Sequence, residues 1–206
     1  MRLHPSKPQW DSRYERVTNA DQFRADRTMQ CMTRCTLDTA RRRRCHQSPT
    51  ANRSTVAQRS FHSPVGDITV FEEDGAIVAL DWGWTGEQQD TPLLQRAGDQ
   101  LESYFDGVLQ AFDLPLAPVG TPYRQKVWRA LCDIPYGETR SYRDIAAAAG
   151  GSPRSVGQAN GSNPIPLIIP CHRVIASTSI GGYSGGDGLP TKRWLLALEN
   201  PSSLLI

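Results

Sequence analysis

A cysteine followed directly by a histidine is the pair of residues in this sequence best suited to covalent chemistry. Cys171 and His172 come after an apolar segment punctuated by prolines, residues 163–170. A free thiol has a pKa near ~8.5, so a neighbouring base that takes its proton makes it a better nucleophile. Adjacent side chains of an extended chain point to opposite sides, so a bridging water is one route from the thiol to the imidazole. The pair therefore indicates an activated cysteine nucleophile.

A carboxylate behind the histidine would complete such a relay. Glu199 is the candidate, because it ends an otherwise apolar helix where a carboxylate needs a partner. The alternative is structural, since a cysteine after a proline is commonly a small buried hydrophobe and a single histidine commonly satisfies a core hydrogen bond. Adjacency alone leaves both interpretations open. Cys132 lies on an apolar helical face and is interpreted as a core residue.

Charge and cysteine content restrict the function classes. Residues 1–60 contain thirteen Lys/Arg and five Asp/Glu, whereas residues 61–206 contain ten and sixteen. The acidic second part must therefore contact DNA, if at all, through a local basic face. Five cysteines at irregular spacing argue against a disulfide framework. The chain has no long apolar run and no signal-peptide pattern, which predicts a cytoplasmic protein that is not inserted in a membrane.

Residues 1–60 differ from the rest of the chain and are predicted to form a disordered basic leader. They are rich in Arg, Ser, Thr and Gln, and they include the run Arg41 to Arg44. Translation from an early start codon would also produce such a segment, and a basic arm that adds nucleic-acid affinity is an alternative. A zinc site is a third alternative, but the spacing fits no strong zinc pattern and no metal is predicted; its ligands would be Cys31, Cys35, Cys45 and His46.

Ordered structure is predicted to begin at Phe61, with a small α/β domain over residues 61–116. A first strand has apolar residues alternating with polar ones, at Ile68 and Val70. Asp74-Gly75 is a hairpin turn signal, and residues 77–82 supply the return strand.

The same domain continues with a helix. Thr91 and Pro92 begin it, and Gly107 ends it. Residues 111–114 are a candidate for a further strand, and residues 116–118 are interpreted as a linker. Nothing in this domain carries obvious chemistry, which predicts a scaffold.

Residues 118–203 are predicted to form a mainly helical domain. Three helices start at capping signals, which are Thr121-Pro122, Ser141 with Asp144, and Ser152-Pro153. The second and third are joined by Gly150-Gly151, which is a helix-turn-helix pattern, although an ordinary helical hairpin gives the same signals. A last helix is expected from about Pro190 to Asn200.

Positive charge around the paired helices favours DNA binding over an ordinary hairpin. Arg140, Arg143 and Arg154 surround the pair while the rest of the domain is acidic. The helix from Arg154 to Gly161 has small side chains, so it could approach a nucleic-acid backbone closely or enter a narrow groove.

Several segments occur in an order that is typical of one family. They are Ile134-Pro135-Tyr136-Gly137-Glu138-Thr139, Asn163-Pro164-Ile165-Pro166, Pro170-Cys171-His172-Arg173-Val174-Ile175, Gly182-Tyr183-Ser184-Gly185-Gly186 and Lys192-Arg193-Trp194-Leu195-Leu196. Over roughly residues 61–200 the sequence resembles the O6-alkylguanine-DNA alkyltransferases, also called methylated-DNA–protein-cysteine methyltransferases. The resemblance implies a ribonuclease-H-like α/β N-terminal domain, with a small antiparallel sheet and a helix, before a mainly α, winged helix-turn-helix-like DNA-binding domain.

The resemblance also implies a reaction. The protein would bind duplex DNA in the minor groove, flip out an alkylated guanine, and move its O6-alkyl group to Cys171. O4-alkylthymine is an implied second substrate, no cofactor is needed, and the stable thioether means that one molecule repairs one lesion. The implied partner is double-stranded DNA containing alkylated guanine, and a monomer with no membrane contact and no obligate protein partner is expected.

Roles for single residues follow from the same resemblance. His172 would take the thiol proton through a water, Glu199 would hold His172, and Asn163 would fix the turn that carries the site. Tyr142 would donate a hydrogen to the base, and Arg154 would fill the gap that the base leaves in the stack. The other implied DNA-facing residues are Ser155, Gly157 and Asn160, and the implied lining of the base pocket is Val174, Tyr183 and Ser184.

The sequence departs from the family pattern beside that pocket. The segment between Ile175 and Tyr183 is one residue short and the loop at residues 185–188 about two residues longer, so no alkyl-size preference is implied. The leader lacks the four-cysteine zinc arrangement of the relatives that also regulate transcription.

Three alternative functions are a lesion binder without enzyme activity, a helix-turn-helix regulator whose thiol senses alkylation or redox state, and a cysteine hydrolase. The presence of Cys171 argues against the first alternative. The small side chains of the third helix argue against the second, and the lack of an oxyanion-hole motif argues against the third.

Overall fold

One mixed sheet organises the first domain. The computed structural model describes residues 9–10 and 56–202, and its sheet strands are β1 Gln9–Trp10, β2 Ala57–Phe61, β3 Ile68–Glu73, β4 Ala76–Trp82 and β5 Pro115–Leu116. Their order across the sheet is β1-β5-β4-β3-β2. The β2, β3 and β4 strands are antiparallel, whereas β5 lies parallel to β4 and β1 lies parallel to β5. The predicted small antiparallel sheet is the β2-β3-β4 part, and β5 and β1 extend it in parallel, because a helix carries the chain over the sheet before β5.

Local turn and capping signals operate as the sequence predicts. Asp74 and Gly75 both have positive φ angles, 50° and 78°, which suits the tight turn between β3 and β4. Helix α1, Pro92–Phe105, begins at Thr91, whose hydroxyl accepts a hydrogen bond from the Leu94 backbone at 3.1 Å. The buried side of α1 packs on the sheet through Leu94, Ala97, Leu101 and Tyr104.

The expected boundaries differ from the observed ones where strands pair over long distances. The first strand within residues 56–202 begins at Ala57 rather than at the predicted Phe61, and Gln9–Trp10, which fall within the predicted disordered leader, form a strand of the same sheet. The strand expected at residues 111–114 is instead β5. Leu116 and Ala117, in the segment interpreted as a linker, are buried, and Leu116 belongs to β5, which lies between β1 and β4 in the sheet. The residues of the alternative zinc site lie outside the described part of the chain.

The second domain is mainly helical. Its elements are α2 Pro122–Cys132, β6 Arg140–Ser141, α3 Tyr142–Ala149, α4 Pro153–Gly161, a 3₁₀ turn at Cys171–Arg173, β7 Val174–Ile175 and α5 Leu189–Glu199. Helices α2, α3 and α4 pack against one another, and β6 pairs in parallel with β7. The expected caps at Thr121, Ser141 and Ser152 are all confirmed. The short β6–β7 pair ties the start of α3 to the segment that follows Cys171.

The turn between α3 and α4 requires glycine. Gly150 and Gly151 have φ angles of 85° and 88°, a region that L side chains rarely adopt. Tyr123 of α2 supports the turn, since its hydroxyl donates to the Gly150 carbonyl at 3.2 Å and lies 2.8 Å from Ser155 Oγ. The two helices of the predicted helix-turn-helix are thereby fixed against α2.

The two domains share one continuous core. A backbone hydrogen bond of 2.8 Å joins the Leu80 amide of β4 to the Pro164 carbonyl, and Tyr104 of α1 packs 6.2 Å from the Tyr136 ring of the second domain. Buried residues of both domains belong to the same apolar cluster. The first domain is therefore in direct contact with the loop that leads to Cys171.

Candidate active site

One asparagine side chain makes two hydrogen bonds across the loop before Cys171. Asn163 Nδ2 donates to the Ile169 carbonyl at 2.8 Å, and Asn163 Oδ1 accepts from the Ile165 amide at 3.1 Å. Leu167, at the top of this loop, is buried with a φ of 71°, a strained conformation for a residue with a Cβ. The side chain of Asn163 thus fixes a strained loop immediately before the cysteine.

Cys171 begins the 3₁₀ turn and is only 5% exposed. Burial raises the pKa of its thiol, and this effect outweighs the hydrogen bond from Asn163 and the charge of Lys192, which both act to lower it. The thiol is therefore protonated at neutral pH and needs a base to become a nucleophile. Because residues 171–173 form a turn, the extended geometry assumed for Cys171 and His172 is wrong.

His172 is fully buried in an arrangement that fixes its tautomer. Its Nε2 lies 2.8 Å from Glu199 Oε1. An ionised carboxylate only accepts, so the ring hydrogen must lie on Nε2 and the lone pair on Nδ1. Nδ1 is buried and has no hydrogen-bond partner among the described residues. Burial lowers the pKa of His172 despite the neighbouring carboxylate, so the ring is a neutral base at pH 7.

Glu199 is surrounded by hydrogen-bond donors. Burial alone would raise its pKa, but hydrogen bonds and charges from His172 and Arg173 hold the pKa well below its usual range. Arg173 donates from Nε to Oε2 at 2.8 Å and from Nη2 to Oε1 at 3.0 Å. Oε2 also accepts from the Gly137 amide at 3.2 Å, and Oε1 accepts from the Tyr104 hydroxyl at 2.7 Å. The carboxylate is thus ionised and fixed from four directions.

Lys192 is a buried cation between two segments beside the thiol. Its Nζ donates to the carbonyls of Val174 at 2.6 Å and Gly182 at 3.1 Å. Burial lowers its pKa to about 8, and the nearby Cys171 acts in the opposite direction. At pH 7 the side chain stays protonated, so it joins the two segments and places a positive charge near Cys171.

A cavity of about 170 Å³ opens beside Cys171 and contains residues of both domains. Tyr183 and Ser184 line it, and so does Trp82 of β4. The Tyr183 hydroxyl is buried, and burial followed by the nearby Cys171 raises its pKa far above the usual value. A larger cavity of about 630 Å³ lies between β2 and α1, and it contains none of the predicted site residues.

The residues expected to face DNA separate into two groups. In the first group, Arg154 is exposed on α4 and Gly157 of the same helix lies next to the ring of Tyr142. The pKa of the Tyr142 hydroxyl is raised, mainly by burial and also by the nearby Cys171. Asn160 differs from the expectation, because it is buried and donates to the Cys171 carbonyl at 3.3 Å. The Ser155 hydroxyl also differs, because it accepts from the Ser152 amide at 2.9 Å as part of the helix cap.

Comparison with known families accounts for this arrangement. The family model described as "6-O-methylguanine DNA methyltransferase, DNA binding domain" matches residues 122–201, and the model of the ribonuclease-like domain of the same family matches residues 56–118. Together they match more than half of the chain. The chain belongs to the 6-O-methylguanine DNA methyltransferase family.

Relatives within the family are similar over almost their whole length. The constitutive methylated-DNA–protein-cysteine methyltransferase of Bacillus subtilis is 46% identical over 155 residues, which cover 68% of this chain and 93% of the relative. The corresponding protein of Methanosarcina barkeri is 44% identical over 150 residues, with 68% and 94% covered. The family's ribonuclease-like and DNA-binding domains are the two domains observed here.

Two crystal structures of proteins from this family are similar to this chain over almost their whole length. The crystal structure of Mycobacterium tuberculosis O6-methylguanine methyltransferase is 43% identical, with a TM-score of 0.64, and the match covers 71% of this chain and 94% of that one. A crystal structure of Mycobacterium tuberculosis OGT in complex with DNA is 44% identical with the same TM-score and the same coverage.

Two site features described above were not found from the sequence. Arg173 stands beside Cys171 and belongs to one of the family motifs, and Tyr104 falls on the apolar face of α1, where its spacing indicates only core packing. A charged residue in an otherwise buried segment is the signal that could have identified Arg173. Within the described residues, no helix is long and apolar enough to cross a bilayer, and no group of three or more His, Cys, Asp or Glu side chains could hold a metal ion.

Proposed function

We propose that this protein repairs DNA by direct reversal, transferring the alkyl group of O6-alkylguanine to Cys171, with O4-alkylthymine as a second substrate. The observation that carries the proposal is a buried thiol next to a neutral histidine whose Nε2 is held by an ionised carboxylate. Family membership supplies the reaction class, since the similar proteins of Bacillus subtilis and Methanosarcina barkeri are methylated-DNA–protein-cysteine methyltransferases.

The transfer begins with removal of the thiol proton. His172 accepts it at Nδ1, through a water, and Glu199 stabilises the ring by accepting from Nε2. The Cys171 sulfur then attacks the alkyl carbon, the S–C bond forms, and the bond from that carbon to O6 breaks with its electron pair left on the guanine. Tyr142, protonated because its pKa is raised, donates a hydrogen bond to the departing base, and the base takes its proton from water. The product is a thioether, which no group of the site removes, so each molecule acts once.

Access to the base requires flipping. A guanine inside the duplex cannot present its alkyl carbon to a buried sulfur, so the base must leave the stack. Arg154 is exposed at the start of α4 and fills the gap, while Gly157 lets the DNA backbone approach the helix closely. Support for duplex DNA as partner comes from the similar Mycobacterium tuberculosis OGT, which was solved in complex with DNA.

The flipped base is received next to the thiol. Tyr183 and Ser184 line its pocket, whereas Val174, the third predicted lining residue, is not among the residues around the cavity and is held through its carbonyl by Lys192. Asn163 fixes the loop beneath. Asn160 acts from inside the protein by its hydrogen bond to the Cys171 carbonyl. A monomer, a domain division at residues 61–116 and 118–203, and a location in the cytoplasm stay predictions.

The test is a stoichiometric transfer measured by mass. Purified protein is incubated with a duplex that contains one O6-methylguanine, and the intact protein and its peptides are weighed. A gain of one methyl group on the peptide that holds Cys171, saturating at one per protein, supports the proposal. Cys171→Ser should abolish the gain while keeping DNA binding, whereas Cys132→Ser, which changes the other cysteine of the described residues, should keep both. Tight binding of the duplex with no mass gain would leave only a lesion binder or a regulator.

A further inference from the structure

One residue of the ribonuclease-like domain reaches the His172–Glu199 pair. Tyr104, in the last turn of α1, is 1% exposed, and its hydroxyl donates to Glu199 Oε1 at 2.7 Å. The same hydroxyl oxygen lies 3.5 Å from His172 Nε2. Oε1 is the carboxylate oxygen that also contacts His172, so the phenol and the imidazole share one acceptor.

We infer that Tyr104 is a positioning residue for alkyl transfer, through which the first domain holds Glu199 and His172 in their working geometry. This inference rests on the proposed function, because it concerns the base of the same reaction. It assigns a catalytic contribution to a domain that the sequence predicts to be a scaffold.

The surroundings of Tyr104 make its hydroxyl a fixed donor. Aromatic rings surround it, at centroid distances of 5.4 Å for Phe105, 5.4 Å for Phe112 and 6.2 Å for Tyr136. Burial, followed by the charge of Glu199 and the hydrogen bond to it, raises the phenol pKa well above its usual value. The group therefore cannot lose its proton near neutral pH, and the packed ring leaves it few alternative orientations.

Removing this donor has a predictable electrostatic result. Without the Tyr104 hydroxyl, Glu199 Oε1 would keep the hydrogen bonds from His172 and Arg173 and lose the third. The negative charge on Oε1 would then be less compensated and would act more strongly on the imidazole. The His172 ring would then hold a proton up to a higher pH. The charged and titratable groups that act on His172 are Glu199 and Lys192 of α5, Arg173 of the 3₁₀ turn and Tyr104 of α1, and Cys171 is its neighbour in the chain.

The experiment compares Tyr104→Phe with the native protein. Single-turnover transfer from a duplex containing O6-methylguanine is measured between pH 5 and 9 at saturating protein. For Tyr104→Phe we expect a transfer rate about 10-fold lower at neutral pH and unchanged affinity for the duplex. In the plot of transfer rate against pH, the acid limb, where the rate falls as His172 is protonated, should move to higher pH. Replacement of Tyr104 by 4-aminophenylalanine, which keeps the ring and an N–H donor, should restore most of the rate.

A packing control separates this role from a structural one. Phe112→Leu alters the ring cluster around Tyr104 but keeps the phenol, so it should lower stability without moving the acid limb. A Tyr104→Phe profile that superimposes on the native one, or that is lowered equally at every pH, would overturn the inference.

A second measurement does not need the reaction. In protein labelled with ¹⁵N-histidine, the ring nitrogens report the tautomer and the pKa of His172 directly. Tyr104→Phe should raise that pKa while Phe112→Leu should not, and an unchanged His172 titration would count against the inference. If the native protein transfers no methyl group, the proposed function fails, and this titration still decides whether Tyr104 acts on His172.

Discussion

At the scale of single residues, the reactivity of Cys171 depends on opposing effects on one proton. Burial keeps the thiol protonated, while the charge of Lys192 acts toward the thiolate. Lys192→Met should therefore slow the reaction of Cys171 with iodoacetamide at pH 7 by roughly 10-fold, since one pKa unit corresponds to a tenfold change in thiolate fraction. The rate is followed by mass spectrometry of the Cys171 peptide. Lys126→Met, at an exposed position of α2, is the matched control, and equal rates in both variants would contradict the role of Lys192.

Glu199 should dominate the loss of stability in acid. The pKa of Glu199 is depressed in the folded protein. The stabilisation that its carboxylate supplies is therefore fully present above the pKa of a glutamate in the unfolded chain, about 4.3, and is lost as the pH falls below that value. Glu199→Gln leaves the buried Arg173 without its charge partner and should cost about 3–5 kcal/mol at pH 7. The difference in free energy of unfolding between Glu199→Gln and the native protein should become smaller toward pH 3.

Urea unfolding at pH 7 and pH 3.5 checks this prediction. Glu138→Gln removes an exposed partner of Arg140 and should change stability by less than about 1 kcal/mol at either pH. If the difference in free energy of unfolding between the native protein and Glu199→Gln is the same at both pH values, the carboxylate charge is not the cause of the acid-dependent loss of stability.

The residues of the proposed relay were predictable from their types, but the residues that support them were not. Cys171, His172 and Glu199 carry chemistry that few other residue types can supply, and the pattern of apolar neighbours marks them. Tyr104 fits the apolar face of α1 equally well with or without its hydroxyl. Its partner lies 95 residues further along the chain, and no local pattern encodes that distance.

At the scale of elements, the turn between α3 and α4 is the most sensitive point of the DNA-binding unit. A Cβ at position 151 would lie 2.5 Å from the Tyr123 hydroxyl, at a φ of 88° that side chains rarely adopt. Gly151→Ala should destabilise the protein by about 1–3 kcal/mol and weaken duplex binding, because α4 would move relative to α3.

The matched control for this turn is Gly161→Ala. Gly161 lies at the end of α4 with open space around its Cα and no positive φ, so alanine should be neutral or slightly stabilising there. Thermal unfolding and fluorescence anisotropy with a labelled duplex measure both effects. Unchanged DNA affinity in Gly151→Ala would mean that the turn does not set the position of α4.

Elements specified by local signals were predictable, and elements specified by distant pairing were not. The β3–β4 turn and the caps of α1, α2, α3 and α4 follow from residues within a few positions. The β5 strand exists because Leu116 pairs with Ile77 and is buried, and the sequence Pro115-Leu116-Ala117 gives no strand signal of its own. The β1 strand has only two residues, and its partner is this same β5.

At the scale of the whole molecule, the strand β1 joins the two domains. Trp10 pairs with Leu116 in the sheet, and its ring lies 5.1 Å from the Arg129 guanidinium of α2. Trp10→Ala should lower the free energy of unfolding by about 1–2 kcal/mol through lost packing and the lost cation–π contact. Chemical denaturation measures the change.

Trp84→Ala is the comparison for this effect. Trp84 is 50% exposed and stacks on the exposed His62, so its loss should change stability less. Equal stability of Trp10→Ala and native protein would show that β1 contributes nothing to the fold in solution.

The position of Glu199 at the end of the last helix has a consequence during synthesis. The ribosome adds Tyr104 first, then Cys171 and His172, and the carboxylate that orients the imidazole only afterwards. A nascent chain therefore contains its nucleophile before the group that prepares the base, and a chain that stops short of α5 also lacks Lys192. The proposed relay from Cys171 through His172 to Glu199 is therefore complete only after translation has passed residue 199.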